Sequence, residues 1–220
     1  GPSVPHLVGL EGRPAIQEGR IVPPQLNPGQ PHQALPTGLN PETVPVMSMG
    51  FLVPPGEAVV WRGPMLHGAI TQMLRDTNWG PLDYLIIDMP PGTGDIALTL
   101  SQSLPLTGAV VVCTPQDVAL IEAIKAIAMF QKVNIDVLGM VENMSGFVCP
   151  DCNSQHDIFG SGGAEAQANT MKIPLLAKIP IHIPIRTHGD SGNTVSNLQE
   201  ETCQVWFEEL ARNLVQHLAT

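Results

Sequence analysis

A doubly wound, mostly parallel α/β sheet is the fold class this sequence predicts, and three observations carry it. Short runs apolar on both faces, Tyr84-Leu85-Ile86-Ile87, Ala109 to Cys113 and Val137 to Val141, have the composition of strands covered on both sides by helices. Between the last two lies a helix-period stretch from about Gln116 to Lys132, with Leu120, Ile121, Ile124, Ile127 and Ala128 on one stripe. The resulting β-α-β-α order requires right-handed crossovers between parallel strands.

Taken in order, residues 1–45 are rich in Pro and Gly, have no sustained period, and read as largely irregular. Val46 to Leu52 is a short apolar run with the length of a strand. Gly63-Pro64 then opens a helix, since proline is well tolerated in a first turn, and Leu66, Ile70, Met73, Leu74 and Thr77 share one of its faces. Leu175 to Ile179 is a further short strand. The C-terminal helix is expected to start at a capping box, Ser196 with Gln199, and to dock through Trp206, Leu210, Leu214 and Leu218. No internal repeat or domain boundary is evident, so residues 1–220 are expected to form a single domain, with 145–161 as a loop.

Composition narrows the function. The chain has 220 residues, 43% hydrophobic and 14% charged, which suffices for a core. Twenty acidic against ten basic side chains leave a net charge of −10, the wrong sign for a nucleic-acid backbone partner. No apolar run nears the ~20 residues that span a bilayer, and no signal-peptide pattern is present. No membrane partner is expected, and the expected compartment is the cytoplasm, with the mitochondrial matrix as the alternative. The four cysteines make no disulfide framework: Cys113 and Cys203 are isolated and read as buried small hydrophobes, whereas Cys149 and Cys152 form a C-x-x-C.

Two thiolates three positions apart can grip one metal, but a pair supplies only two ligands. Structural zinc and a [4Fe–4S] cluster both want four. Cys113 and Cys203 are poorly placed to complete the set, and His156 is the nearest further donor in sequence. A homodimer solves the count, because two chains contribute two cysteines each about a twofold axis. A zinc knuckle, a redox dithiol or an inert surface pair are the other readings of the same residues; the Gly/Ser/Asn-rich surroundings count against the dithiol, which usually opens a helix.

The most informative string is Asp83-Tyr84-Leu85-Ile86-Ile87-Asp88-Met89-Pro90-Pro91-Gly92-Thr93-Gly94-Asp95. It delivers Asp88 at the carboxyl end of an expected strand, where open α/β sheets hold their ligands. Asn143 closes another strand; it can also be read as a plain turn residue. With Ser48-Met49-Gly50-Phe51-Leu52, Val60-Trp61-Arg62-Gly63-Pro64-Met65, Thr114-Pro115-Gln116-Asp117, Glu142-Asn143-Met144-Ser145 and Cys149-Pro150-Asp151-Cys152, this string resembles the Mrp/ApbC-type iron–sulfur cluster carriers, a deviant-Walker branch of the P-loop NTPases with MinD-like architecture. The segment from Gly1 to Pro14 is similar to the stretch that follows the second strand in that family.

The resemblance implies a carrier that binds a [4Fe–4S] cluster between the two protomers of a homodimer, through Cys149 and Cys152, and delivers it to apo iron–sulfur proteins. It implies ATP and Mg²⁺ as cofactors of the full-length parent. Asp88 would organise Mg²⁺, Gly92 would contact the γ-phosphate, and Asn143 and Pro180 would line the adenine. Asp117 reads instead as a first-turn acid opposing a helix dipole. The family's phosphate cradle ends in Gly-Lys-Ser/Thr, yet Lys125, Lys132, Lys172 and Lys178 all lack a preceding glycine. The chain is therefore expected to be N-terminally truncated relative to the family, with no catalytic residue of its own and no ATP turnover alone. Two readings of other classes stand beside the carrier: a zinc-stapled, non-enzymatic interaction domain, and a MinD/ParA-type regulatory ATPase.

Overall fold

Parallel pairing organises the half of the chain that carries the cysteines. In the computed structural model, which describes residues 1–27, 43–53, 63–89 and 94–219, the strands β5 (Ala109–Cys113), β6 (Val137–Val148) and β8 (Leu175–Ile181) lie side by side with β6 in the middle. Both pairings are parallel, with Val112 opposite Val141 in one and Asn143 opposite Ile179 in the other. A short strand, β7 (Gln155–His156), pairs antiparallel with the far end of β6. Parallel neighbours need crossovers, and the helices α4 (Asp117–Lys132) and α5 (Gly163–Met171) supply them.

The described residues cluster into two compact units, 97–185 with 197–220, and 1–96 with 186–196. In the first of these, Ile127, Met140, Val141, Leu176 and Ala177 are almost wholly buried. The C-terminal helix α7 (Glu201–Leu218) lays Trp206, Phe207, Leu210 and Leu214 against the cluster of Val141, Leu176, Ala177 and Ile179. Asn213 Nδ2 reinforces that docking by donating to the Leu176 carbonyl at 2.7 Å. The expected docking face is therefore present. Its start differs: Glu200 caps the helix, accepting from the Cys203 N–H at 2.7 Å, so the helix opens five residues beyond Ser196. A carboxylate at the N-cap does the same work as the expected serine and adds charge complementary to the helix dipole.

The stripe of α4 is also turned from the expected one. Leu120, Ala123, Ile127 and Phe130 are buried, whereas Ile121 is half-exposed and Ala128 faces outward. Spacings of three, four and three follow the helix period as well as the expected set did, and only the neighbours decide between them.

The other unit is poorer in regular structure. A four-residue helix α1 (Val4–Leu7) precedes two small hairpins, β1 (Ala15–Gln17) with β2 (Arg20–Val22) and β3 (Gln25–Leu26) with β4 (Val44–Pro45). The run Val46 to Leu52 is not a strand: Met49–Phe51 forms a 3₁₀ turn capped by the Ser48 hydroxyl. Helix α2 (Gly63–Arg75) forms where expected, with Ile70 and, just beyond its end, Thr77 buried. Helix α3 (Gly94–Ser103), which no sequence signal marked, follows. Between these helices the largest departure occurs. Residues 84–87 are irregular rather than strand, and Ile86 is 89% exposed. A strand apolar on both faces needs hydrogen-bonded neighbours, and no described strand pairs with this one. Helix α6 (Ile183–Asp190) completes the elements.

Leu176 fills the middle of the β6–β8–α7 contact, so a Leu176→Ala substitution leaves a cavity that the flanking strands cannot close. The expected loss is about 3 kcal/mol of unfolding free energy, read from the denaturant midpoint at unchanged slope.

Candidate functional site

The segment after β6 forms a hairpin, with Phe147 opposite His156 and Val148 opposite Gln155. Strand β6 thus runs four residues into the span 145–161 that the sequence leaves as loop, and β7 takes two more. Cys149 to Ser154 turn the corner. The Cys149 N–H donates to the Ser154 carbonyl at 3.0 Å and the Asn153 N–H to the Cys149 carbonyl at 2.9 Å, with Asn153 left-handed at φ 56°. Asparagine tolerates that conformation better than most residues. These bonds place both cysteines at the tip, Cys149 partly buried and Cys152 exposed, each as a free thiol.

Hydrogen bonding, not burial, sets the chemistry of Cys152. The Ser154 hydroxyl at 3.3 Å, the Ser154 backbone and the Cys149 thiol together hold its thiol below the usual range. More thiolate at neutral pH makes a better metal ligand and a better nucleophile. His156 does not join the pair. Among the described residues, the one group of three or more His, Cys, Asp and Glu side chains with converging ligand atoms lies elsewhere, at His182, Glu200 and Cys203. Within one chain the hairpin tip offers two thiols.

Glu142 is the residue sequence reasoning missed. It lies in β6, wholly buried. Burial pushes its carboxyl up, but a hydrogen bond from Ser145, those from the Gly162 and Ala164 N–H groups, and the charge of Lys178 together outweigh that and hold it below the usual range. The contacts are 2.5 Å from Ser145 Oγ and 2.8 and 2.7 Å from the two amides. Those amides belong to the first turn of α5, whose own N-cap, Gly162, is left-handed at φ 83° and has no side chain to offer. Gly163 follows, where a Cβ would sit 2.6 Å from the Pro115 carbonyl oxygen. The Glu142 carboxylate therefore caps a helix 20 residues away in sequence, and the same group anchors Ser145 at the base of the hairpin. The signal was present as an acid in an otherwise apolar strand.

Asn143 and Pro180 are brought close, since Asn143 stands opposite Ile179 in the β6–β8 register and Pro180 is the next residue. The Asn143 side-chain oxygen accepts from the Met144 N–H at 3.0 Å, and Met144 is left-handed at φ 58°. Asp88 belongs to the other unit. It is exposed, off any strand, and accepts from the Gly1 nitrogen at 2.8 Å. Nearby, Ser48 Oγ donates to the Gly1 carbonyl at 2.7 Å, and a Cβ on Gly50 would collide with the Pro2 carbonyl oxygen at 2.2 Å. Gly1, Ser48, Gly50 and Asp88, drawn from three separate motifs, are thus assembled in one place. Gly92 lies outside the described residues.

A parallel sheet flanked by helices, with polar residues gathered at strand ends, is the architecture of the P-loop nucleotide-binding class. A structure of a nucleotide-binding protein from Archaeoglobus fulgidus, described as a complex with ADP with Co found by PIXE, superposes with TM-score 0.68 at 37% identity, over 89% of this chain and 71% of that one. The cell-division ATPase MinD of Pyrococcus furiosus shares the fold at TM-score 0.50 and 24% identity, over 72% and 63%.

The family model for the NUBPL iron-transfer P-loop NTPases (ParA) matches residues 1–215, and the chain belongs to that family. An iron-sulfur cluster carrier protein from Haemophilus influenzae is 44% identical over 97% of this chain and 55% of its own length. The mouse iron-sulfur cluster transfer protein NUBPL is 45% identical over 89% and 57%, and the carrier protein of Escherichia coli K12 44% identical over 99% and 56%. The chain thus spans a little over half the length of these curated relatives. Among the described residues no helix is long and apolar enough to cross a membrane.

Because the folded Glu142 carboxyl lies below its unfolded value, its contribution to stability is complete above the ordinary carboxylate range and is lost as pH falls through the folded value. Glu142→Gln, which turns an amide N–H₂ toward helix N–H donors, is expected to cost about 2–3 kcal/mol at neutral pH. It should also flatten the acid limb of the stability–pH profile, measured by urea unfolding between about pH 3 and pH 7.

Proposed function

We propose that this chain acts within an iron–sulfur cluster carrier, with Cys149 and Cys152 of two protomers holding one [4Fe–4S] cluster for delivery to apo iron–sulfur proteins. The observation that carries the reading is the hairpin tip, which holds two free thiols, one exposed and one partly so, with no third ligand among the described residues converging on them. A site so built is half of a four-thiolate site, and a twofold axis through the tip supplies the other half. Exposure suits a cargo that must be handed on, whereas a resident structural metal is usually enclosed by its own four ligands. The names of the relatives point the same way.

The depressed Cys152 thiol would bind the cluster with a smaller proton cost than an ordinary cysteine. Glu142 would hold the hairpin base in place while the tip exchanges its cargo. ATP and Mg²⁺ belong to the proposal at the level of the longer protein. Asp88 would organise the metal ion, Gly92 would approach the γ-phosphate, and Asn143 with Pro180 would line the base. The residues of this chain do not complete such a site, because no Gly-Lys pair exists to cradle the phosphates. The net charge of −10 supports protein rather than nucleic-acid recipients, and four cysteines without a disulfide framework favour the cytoplasm or mitochondrial matrix as the place of action.

Anaerobic reconstitution with iron and sulfide tests the proposal. The expected product has broad absorbance at the blue end of the visible spectrum, roughly two irons and two sulfides per chain, and the mass of a dimer. Cys149→Ser and Cys152→Ser should each abolish the absorbance and leave a monomer with unchanged circular dichroism. A strictly monomeric product, or one that takes up zinc but neither iron nor sulfide, would sink the carrier reading in favour of a zinc-stapled interaction domain.

A further inference from the structure

A second group of ligating side chains lies away from the hairpin, in the same compact unit. His182 directly follows β8, Glu200 caps α7, and Cys203 sits in the first turn of that helix. One ligand atom from each lies within 4.8 Å of the others, with Cys203 fully buried and the other two half-buried. His182 Nε2 is itself buried and makes no hydrogen bond, while Glu200 Oε2 stands 3.5 Å away. The ring meets Trp206 edge-on, its centroid 5.4 Å from the indole's at 82° between planes.

From this juxtaposition we propose that His182, Glu200 and Cys203 form a binding site for a borderline divalent cation of the zinc class. A buried imidazole nitrogen that makes no hydrogen bond costs free energy unless something fills the position it faces. Nitrogen, carboxylate oxygen and thiolate sulfur together are the donor set that zinc accepts, and three protein ligands leave one position for water. At zinc bond lengths of about 2.0–2.3 Å, donor atoms stand roughly 3.3–3.8 Å apart. The His182–Glu200 separation of 3.5 Å already meets that, so the site needs only a small contraction toward Cys203.

The elements holding the three residues are rigid. Trp206 is packed onto the sheet by α7, so the ring edge against it fixes the plane of His182. The Glu200 carboxylate accepts from the Cys203 N–H at 2.7 Å, which holds it beside His182. Cys203 is a fully buried free thiol. On binding, the sulfur–metal bond forms as the S–H bond breaks and the proton leaves to solvent. Nothing in the assignment uses Cys149 or Cys152, so it stands or falls apart from the carrier reading.

The test uses the full chain with the hairpin thiols removed as Cys149→Ser/Cys152→Ser, titrated anaerobically with Co²⁺ as a coloured stand-in for Zn²⁺. The expected result is about one Co²⁺ per chain, with a thiolate-to-metal charge-transfer band that Zn²⁺ bleaches. Adding Cys203→Ser should remove that band, and adding His182→Gln should weaken binding by more than about tenfold. Zn²⁺ should also raise the thermal midpoint of the double variant but not of its His182→Gln derivative. Since Cys203 is buried, its variant may be compared by circular dichroism, but the thermal shift stands without it. A double variant that binds no Co²⁺ and gains no thermal shift overturns the site, as does Co²⁺ binding that is indifferent to His182 and Cys203.

Discussion

A buried carboxylate that satisfies a distant helix is the constraint on which the cysteine-bearing unit depends. Glu142 is fully enclosed, and burial pushes its carboxyl up. It stays ionised because the first-turn amides of α5 and the Ser145 hydroxyl all donate to it. Those donors need it equally, since Gly162 offers α5 no side-chain cap. One group thus joins the central strand, the helix that covers it and the base of the hairpin. Breaking such a pair leaves several orphaned polar atoms where water cannot reach them, so the cost is shared by all three elements.

Around that joint, the hairpin divides labour between backbone and side chain. Backbone bonds from Cys149 and Asn153 close the corner without using either thiol. The thiols stay free for chemistry, one of them tuned by Ser154. The candidate cation site at His182, Glu200 and Cys203 is built on the opposite principle. There the ligands come from a strand end and a helix start, two half-buried and one fully buried, and the His182 ring is braced by Trp206. The more exposed pair suits exchange and the more buried triad suits retention, so the two sites would answer to different demands.

Much of this was legible in the residues. The strands at 109–113 and 137 onward, the helix from Asp117 and the docking face of α7 all follow from local apolar period, which needs no knowledge of partners. The C-x-x-C and the motifs in family order announced the site. The misreadings share one cause. The run at 84–87 has strand composition but is irregular, and Ile86 is exposed, because pairing depends on neighbours rather than on the run itself. Leu120, Ala123, Ile127 and Phe130 form the buried stripe of α4 although Ile121 is as apolar as any of them.

By itself the sequence determined the α/β class, the family and the two thiols at issue, because each depends on residue type and short spacing. Tertiary structure alone decided that Glu142 caps α5, that Asn143 stands opposite Ile179 across β6 and β8, and that His182 finds Glu200 and Cys203. Those contacts join residues many positions apart, and their energies exist only once desolvation has made an unpaired polar atom expensive. No local pattern encodes that condition.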